Sequence, residues 1–165
     1  MRFAINHMGN KHKTKPAGVL IRNKEASFNY TLLEEQVAGI ALKGTEVKSM
    51  RMGSANLKGS YCFFKNHELY LKGMHISPYP QAREDAHEPM RDRKLLLHRR
   101  ELRKFHKAKE EKRLTIVVKS IFLNEKGLIK ARIALAKGKK VHDKRMTIKE
   151  RDLVRERERS ERKVR

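Results

Sequence analysis

The chain has 165 residues, with 41 Lys/Arg against 19 Asp/Glu and a formal net charge of +22. That excess is far beyond what solubility needs and asks for a polyanion, with nucleic acid first and an anionic membrane surface second. A single cysteine, Cys62, excludes an internal disulfide framework and fits a reducing compartment. No apolar run resembles a signal peptide or a membrane span, so the cytosol is the expected location.

The charge is unevenly spread. Residues 1–24 carry six Lys/Arg and no acid, residues 91–113 carry eleven against four, and residues 25–90 are nearly balanced. The last stretch, residues 137–165, has 13 Lys/Arg, six Asp/Glu and few large apolar residues, so it can add little to a core. The organisation expected is a basic arm over 1–18, a β domain over 19–136 and a basic tail over 137–165.

In chain order, residues 1–18 read as an arm that is unstructured unless RNA orders it. Strand signals begin at Val19. Phe28, Tyr30 and Leu32 alternate with polar neighbours, and Val37–Leu42 reads as a second strand with Gly39 at a bend. Thr45–Arg51 reads as either a strand or a short helical turn. Tyr61–Phe64 and Leu69–Leu71 form a hairpin about residues 65–68, and Pro78 and Pro80 end the run. Residues 81–88 read as a loop.

A helix is expected over about Pro89–Lys109. At helical spacing, Met90, Leu95, Leu97, Leu102, Phe105 and Ala108 share one side, whereas Leu96 points away. Arg93, Arg99, Arg100 and Arg103 then make a guanidinium-rich face, which is either a phosphate-binding surface or a solvated helix face. Leu114–Leu123 and Leu128–Leu135 form a second hairpin turning at Asn124–Gly127. The fold expected is mainly β: a small antiparallel barrel of the oligonucleotide-binding type.

Enzyme signatures do not emerge. There is no Gly-rich phosphate loop, and none of the eight histidines forms a metal motif. Glu46 and His75 read better as an isolated carboxylate and a turn histidine than as an acid–base pair. Neither a cofactor nor a metal is expected. A basic β domain with aromatic side chains suits irregular RNA, phosphates taking arginines and unstacked bases taking apolar platforms. In the tail, Thr147-Ile148-Lys149-Glu150 reads as a capping box. Its helix is marginal alone and is expected to form when phosphates neutralise Lys144, Arg145, Lys149, Arg151 and Arg155.

Four segments carry a resemblance: GTEVKSMRMGSANLKGSY (44–61), MHISPY (74–79), RDRKLLLHRREL (91–102) and ALAKGKKVHDKRMTIKERD (134–152). Together they closely resemble the SmpB family, the SsrA-binding proteins that partner transfer-messenger RNA in bacterial trans-translation. The resemblance implies an oligonucleotide-binding barrel with flanking helices that grips the tRNA-like domain at its elbow. Asn23, Glu46, Lys48 and Leu96 match positions in or near that contact region. Tyr30, Arg51, Arg93, Lys94, Arg99 and Arg100 complete the expected RNA-binding set. Lys137, Gly138, Lys139 and Lys140 would face the decoding centre of the ribosomal small subunit. Asp143, Lys144, Arg145, Ile148, Lys149 and Arg151 would lie in the empty mRNA path as a helix. Phe28, Val37 and Leu153 depart from residues usual in the family. The implied protein is a non-catalytic monomer bound to RNA and the ribosome. The competing reading is a constitutive rRNA-binding ribosomal or ribosome-assembly protein.

Overall fold

A computed structural model describes residues 18–82 and 87–140, and residues 152, 153 and 156 of the tail. The expected arm over 1–18 lies outside these residues except for Gly18. The tail positions Asp143, Lys144, Arg145, Ile148, Lys149 and Arg151 also lie outside them.

The elements in order are β1 (Val19–Arg22), α1 (Lys24–Asn29), β2 (Tyr30–Ile40), α2 (Gly44–Arg51), β3 (Ala55–Asn56), β4 (Tyr61–Lys65) and β5 (Glu68–Lys72). Then come β6 (His75–Ile76), β7 (Arg93–Leu96), α3 (Arg99–Lys112), β8 (Thr115–Leu123) and β9 (Ile129–Gly138). Seven strands form one antiparallel sheet in the order β1-β8-β4-β5-β7-β2-β9, and β8 also pairs with β9. The β4–β8 contact is a single residue pair, Cys62↔Ile116. β3 and β6 form a separate two-stranded ribbon. The fold is therefore mixed α/β, a multi-stranded antiparallel sheet with flanking helices, rather than the mainly β barrel expected.

Both expected hairpins are present. Asn66 and His67 turn β4 into β5 with φ of 51° and 59°, the left-handed pair that suits a tight hairpin. Gly127, with φ 72°, turns β8 into β9. The core is built by strand alternation. Leu69 and Leu71 from β5, Ile116, Val118 and Ile121 from β8, and Ile133 from β9 are all essentially inaccessible to solvent.

Two local assignments change, and the alternative left at Thr45–Arg51 is decided. Phe28 lies in α1 rather than a strand, because Asn23 caps that helix: its Oδ1 accepts the Ala26 N–H at 3.1 Å. Thr45–Arg51 is helical, and Glu46, three residues past the cap, accepts the Lys43 N–H at 2.7 Å. The helix expected over 89–109 begins only at Arg99, and Arg93–Leu96 is a strand. There the period is two: Arg93 and Leu95 point inward while Leu96 is exposed. Glu101 accepts the His98 N–H at 2.9 Å and fixes the true start of α3. Arg113, left-handed at φ 48°, ends it. Leu102, Phe105 and Ala108 keep the inward face expected of them.

A buried ionic cluster ties the segments that strand pairing leaves loose. Glu46 is fully buried and meets Arg91 at 2.6 Å and Arg93 at 3.0 Å. Arg93 is also fully buried and donates to the carbonyls of Met74, Pro89 and Arg91 at 2.6, 3.0 and 3.0 Å. His87 bridges the Thr45 hydroxyl and the Ile76 carbonyl at 3.0 and 3.2 Å. Thus α2, β6, the approach to β7 and β7 itself converge on one carboxylate.

Burial pushes the Glu46 carboxyl up. The Arg91 hydrogen bond, the Lys43 N–H and the charges of Arg93 and Arg91 outweigh it and hold the group below the usual carboxylate range. Glu46→Gln is expected to destabilise the fold by about 3–5 kcal/mol, because it strands buried guanidinium charge. A depressed folded-state pKa gives stability that is complete above the unfolded value of about 4.3 and is lost as pH falls through the lower folded value. Denaturant unfolding should therefore show a steeper acid loss in the parent than in Glu46→Gln. Equal pH slopes in the two proteins would contradict the role assigned to Glu46.

Candidate nucleic-acid interface

The expected RNA-binding residues do not all reach the surface. Glu46 and Arg93 are inaccessible; Glu46 accepts from Arg91, Arg93 and the Lys43 N–H, and Arg93 also donates to backbone carbonyls. Both are corrections to the expected contact set. Arg93 resembles a helix-face phosphate ligand only when it is placed on the wrong element.

The remaining residues form three groups. In the first, Asn23 sits between β1 and α1, its N–H donating to the Lys119 carbonyl at 2.9 Å. With Tyr30, Tyr61 and Thr115 it lines a cleft of about 440 Å³. β9 ends beside this cleft, where Tyr30 pairs with Gly138 and Thr31 with Lys137. Lys139 then hydrogen-bonds to α1, its N–H to the Asn29 carbonyl at 2.9 Å and its Nζ to the Ser27 carbonyl at 3.2 Å. Lys137, Gly138 and Lys140 are exposed. Asn23 and Tyr30, far from Lys137–Lys140 in sequence, thus share one end of the sheet. The strand continues to Gly138, two residues past the boundary expected for the tail.

The second group surrounds Leu96, which is 52% exposed at the end of β7. It faces Gly39 of β2, where an added Cβ would come within 3.2 Å of the Leu96 Cβ. Glycine is therefore the residue that lets β2 run close beneath this side chain. Leu96, Val47, Leu128, Arg51 and Lys130 line a cleft of about 310 Å³. Arg51 crosses it, donating from Nη2 to the Gly127 carbonyl at 3.2 Å. An apolar floor with a basic rim suits an unstacked base and its phosphate.

The third group is positional. Arg99 and Arg100 are exposed in the first turn of α3. Cations at a helix N-terminus oppose its dipole, and Glu101 compensates only in part, so their placement favours an anionic partner. Lys48 is exposed on α2, its Nζ 5.1 Å from the centre of the Tyr79 ring. Lys94 is half-buried on β7 and ion-paired with Glu68. Val37, one of the departures, is 45% exposed opposite Arg132, and Leu153 is 56% exposed.

Nothing here points to catalysis. Burial pushes the Cys62 thiol up, which removes it as a nucleophile. Among the described residues, no group of three His, Cys, Asp or Glu could hold a metal ion, and no helix is long and apolar enough to cross a membrane. The sequence reading overlooked Leu128 and the outward rings Tyr61, Phe63 and Tyr70. For Tyr61 and Phe63 the i,i+2 spacing on one hairpin strand was the available signal, with Tyr70 opposite Phe63.

A basic antiparallel sheet with exposed cations and apolar side chains gathered at strand ends defines the class: an RNA-binding module. Similarity to known proteins narrows it. A model of the family described as "SmpB protein" matches residues 20–163. The SsrA-binding protein of Christiangramia forsetii is 50% identical over 132 residues, covering 80% of this chain and 84% of that one. That of Phocaeicola vulgatus is 48% identical over 145 residues, covering 88% and 97%. A solved structure described as "tmRNA-SmpB: a journey to the center of the bacterial ribosome" matches with a TM-score of 0.62 at 44% identity, covering 77% of this chain and 87% of that one. The chain belongs to the SmpB protein family.

Asn23 caps α1 and belongs to the expected RNA-binding set, and the two roles are separable by substitution. Asn23→Ala should cost about 1 kcal/mol of stability by removing the cap. Asn23→Asp keeps the cap acceptor, so its unfolding midpoint should stay near the parent's. Its new carboxylate should weaken RNA binding, measured at one fixed salt concentration. If Asn23→Asp bound RNA like the parent, the residue would be a cap alone.

Proposed function

We propose that this chain binds the tRNA-like domain of transfer-messenger RNA and brings it to stalled ribosomes for trans-translation. The observation that carries the reading is the family match across residues 20–163, which spans the body and most of the tail. The geometry supports it. A non-catalytic adaptor needs a rigid body that holds RNA and an extension that reaches elsewhere. The sheet supplies the first, and the exit of β9 at Gly138 directs the second from the Asn23–Tyr30 end.

The sheet is of the oligonucleotide-binding type in this reading. In support, pairings run from β8 through β4, β5, β7 and β2 to β9, and β9 pairs with β8 again. Asn23, Tyr30, Lys48, Arg51, Lys94, Leu96, Arg99 and Arg100 hold the RNA. Glu46 and Arg93 act through the fold beneath them. Lys137–Lys140 face the small-subunit decoding centre. The positions from Asp143 to Arg151 enter the vacant mRNA path, so that an empty channel selects stalled ribosomes. The protein works as a monomer on RNA in the cytoplasm. Peptide transfer remains the chemistry of RNA and ribosome, and this chain positions the partners.

The test compares the full chain with a chain ending at Lys140, which keeps all of β9. Both should bind transfer-messenger RNA more tightly than an equally charged control RNA at physiological salt. Only the full chain should support tagging on stalled ribosomes. Loss of selectivity in the full chain would overturn the RNA assignment, and tagging by the shortened chain would overturn the role of the tail. Replacing Arg99 and Arg100 by glutamine should weaken binding and reduce the slope of log K against log salt by about 1 for each phosphate that is no longer neutralised.

A further inference from the structure

Between the Asn23–Tyr30 cleft and the Leu96 edge lies a strip of sheet that none of the sequence-expected residues except Lys94 occupies. It is the outer face of the β4–β5 hairpin. Alternation sends Cys62, Leu69 and Leu71 into the core and leaves Tyr61, Phe63, Tyr70 and Lys72 outside. The Tyr61 and Phe63 ring centres are 6.4 Å apart, and those of Phe63 and Tyr70 are 5.9 Å apart. Phe63, Tyr70 and Lys94 are cross-strand neighbours in a single row over β4, β5 and β7. Tyr61, which is 45% exposed, also lines the Asn23–Tyr30 cleft, so the ring strip continues that cleft along the sheet. Leu96 lies two residues beyond Lys94 on the same strand. The strip therefore joins two of the groups of candidate residues.

We propose that this face is a stacking platform for unpaired RNA bases. The proposal rests on the RNA-binding reading above and names a further surface and ligand class within it. Three rings outside the sheet add nothing to the core on its other side, so folding alone does not call for aromatic residues there. Their planes are tilted by 52° and 31°, so no ring covers its neighbour face to face. Every base has a π-face, and a row of rings accepts bases with little regard to sequence. Cations are interleaved where a backbone would run. Lys72 holds its Nζ 5.9 Å from the Phe63 centre, and Lys65 is exposed at the hairpin tip. A stacked nucleotide offers that ammonium a phosphate in exchange for the ring. Glu68 is the carboxylate on this face. Lys94 pairs with it and the Tyr70 hydroxyl donates to it at 2.9 Å, which offsets its charge and fixes the Tyr70 ring.

The test uses the full chain, with a short fluorescent oligoadenylate as the probe for unpaired bases and transfer-messenger RNA measured in parallel. Tyr61→Leu/Tyr70→Leu keeps apolar bulk but cannot stack. It should weaken oligoadenylate binding about tenfold or more, with an unchanged circular dichroism spectrum. Ultraviolet cross-links from the parent should map to residues 61–72. Should the double variant fold poorly, Tyr61→Leu alone, at an exposed ring, together with the cross-link map carries the test. Equal oligoadenylate binding by parent and folded variant would overturn the proposal. So would a parent that binds transfer-messenger RNA selectively but ignores oligoadenylate, a result that would turn this face into a protein-docking surface. Failure of the parent to prefer transfer-messenger RNA over control RNA would instead count against the underlying reading, and the two failures are read in separate arms.

Discussion

The Glu46 carboxylate organises the half of the molecule that strand pairing cannot. β2, β8 and β9 are long and hold one another through extended ladders. Among its described residues, the segment between β5 and β7 has one strand pairing, the two-residue ribbon of β3 with β6. A chain that wanders this far from a ladder leaves backbone carbonyls unsatisfied, and buried carbonyls need donors. Arg93 supplies them to Met74, Pro89 and Arg91, which puts a guanidinium in the core. A buried cation is costly unless paired, so Glu46 must be buried beside it, and Arg91 completes the charge from the partly exposed side. The cluster is a consequence of needing a loop at this place, and it sets where β7 begins.

This accounts for what could and could not be read from the sequence. The strand at Leu69–Leu71, the β-branched run from Leu114 to Leu123 and both hairpin turns were legible, because these signals are local. The start of α3 was not. Leu95 and Leu97 fit a helical stripe with Leu102 and Phe105, Arg93 and Leu95 fit the alternation of a strand, and only the partner residues decide between them. Leu69 and Tyr70 of β5 pair with Leu95 and Lys94, and Ile40 of β2 also pairs with Leu95. A charged residue in the core is invisible to any reading that assigns arginines to the surface. For the same reason Arg93 reads as an RNA ligand in the sequence, whereas Glu46 enters that set through the family resemblance. The place of Asn23 in the expected contact set also came from the family resemblance, while its structural work at the Ala26 N–H depends on a helix of only six residues that periodicity does not reveal.

Family-like sequence motifs and functional surface therefore overlap only in part. Within 44–61, 74–79 and 91–102, Glu46, Met74, Ile76, Arg93 and Leu95 are buried. Lys48, Leu96, Arg99 and Arg100 in the same motifs are exposed. The motifs interleave the two because one short strand and two helices must both close the core and present cations. Period two in β7 alternates the jobs residue by residue: Arg93 in, Lys94 half-out, Leu95 in, Leu96 out. A substitution at an inward position would reach RNA only by shifting its outward neighbours.

That coupling constrains how RNA can be held. A surface of isolated lysines would bind any polyanion, with an affinity set by salt alone. Here the cations alternate with apolar side chains that cannot be satisfied by phosphate: Leu96 and Leu128 at one strand end, and Tyr30 and Tyr61 at the cleft below Lys137–Lys140. These groups gain only when a base leaves its own stack, which a regular duplex resists and a folded RNA with unstacked nucleotides permits. In the proposed reading, selectivity for irregular RNA follows from the spacing of apolar groups on the sheet, while the net charge of +22 governs encounter and strength. The buried ionic cluster contributes to that spacing: it fixes β7, and through Gly39↔Leu96 it fixes the height at which Leu96 stands above the sheet.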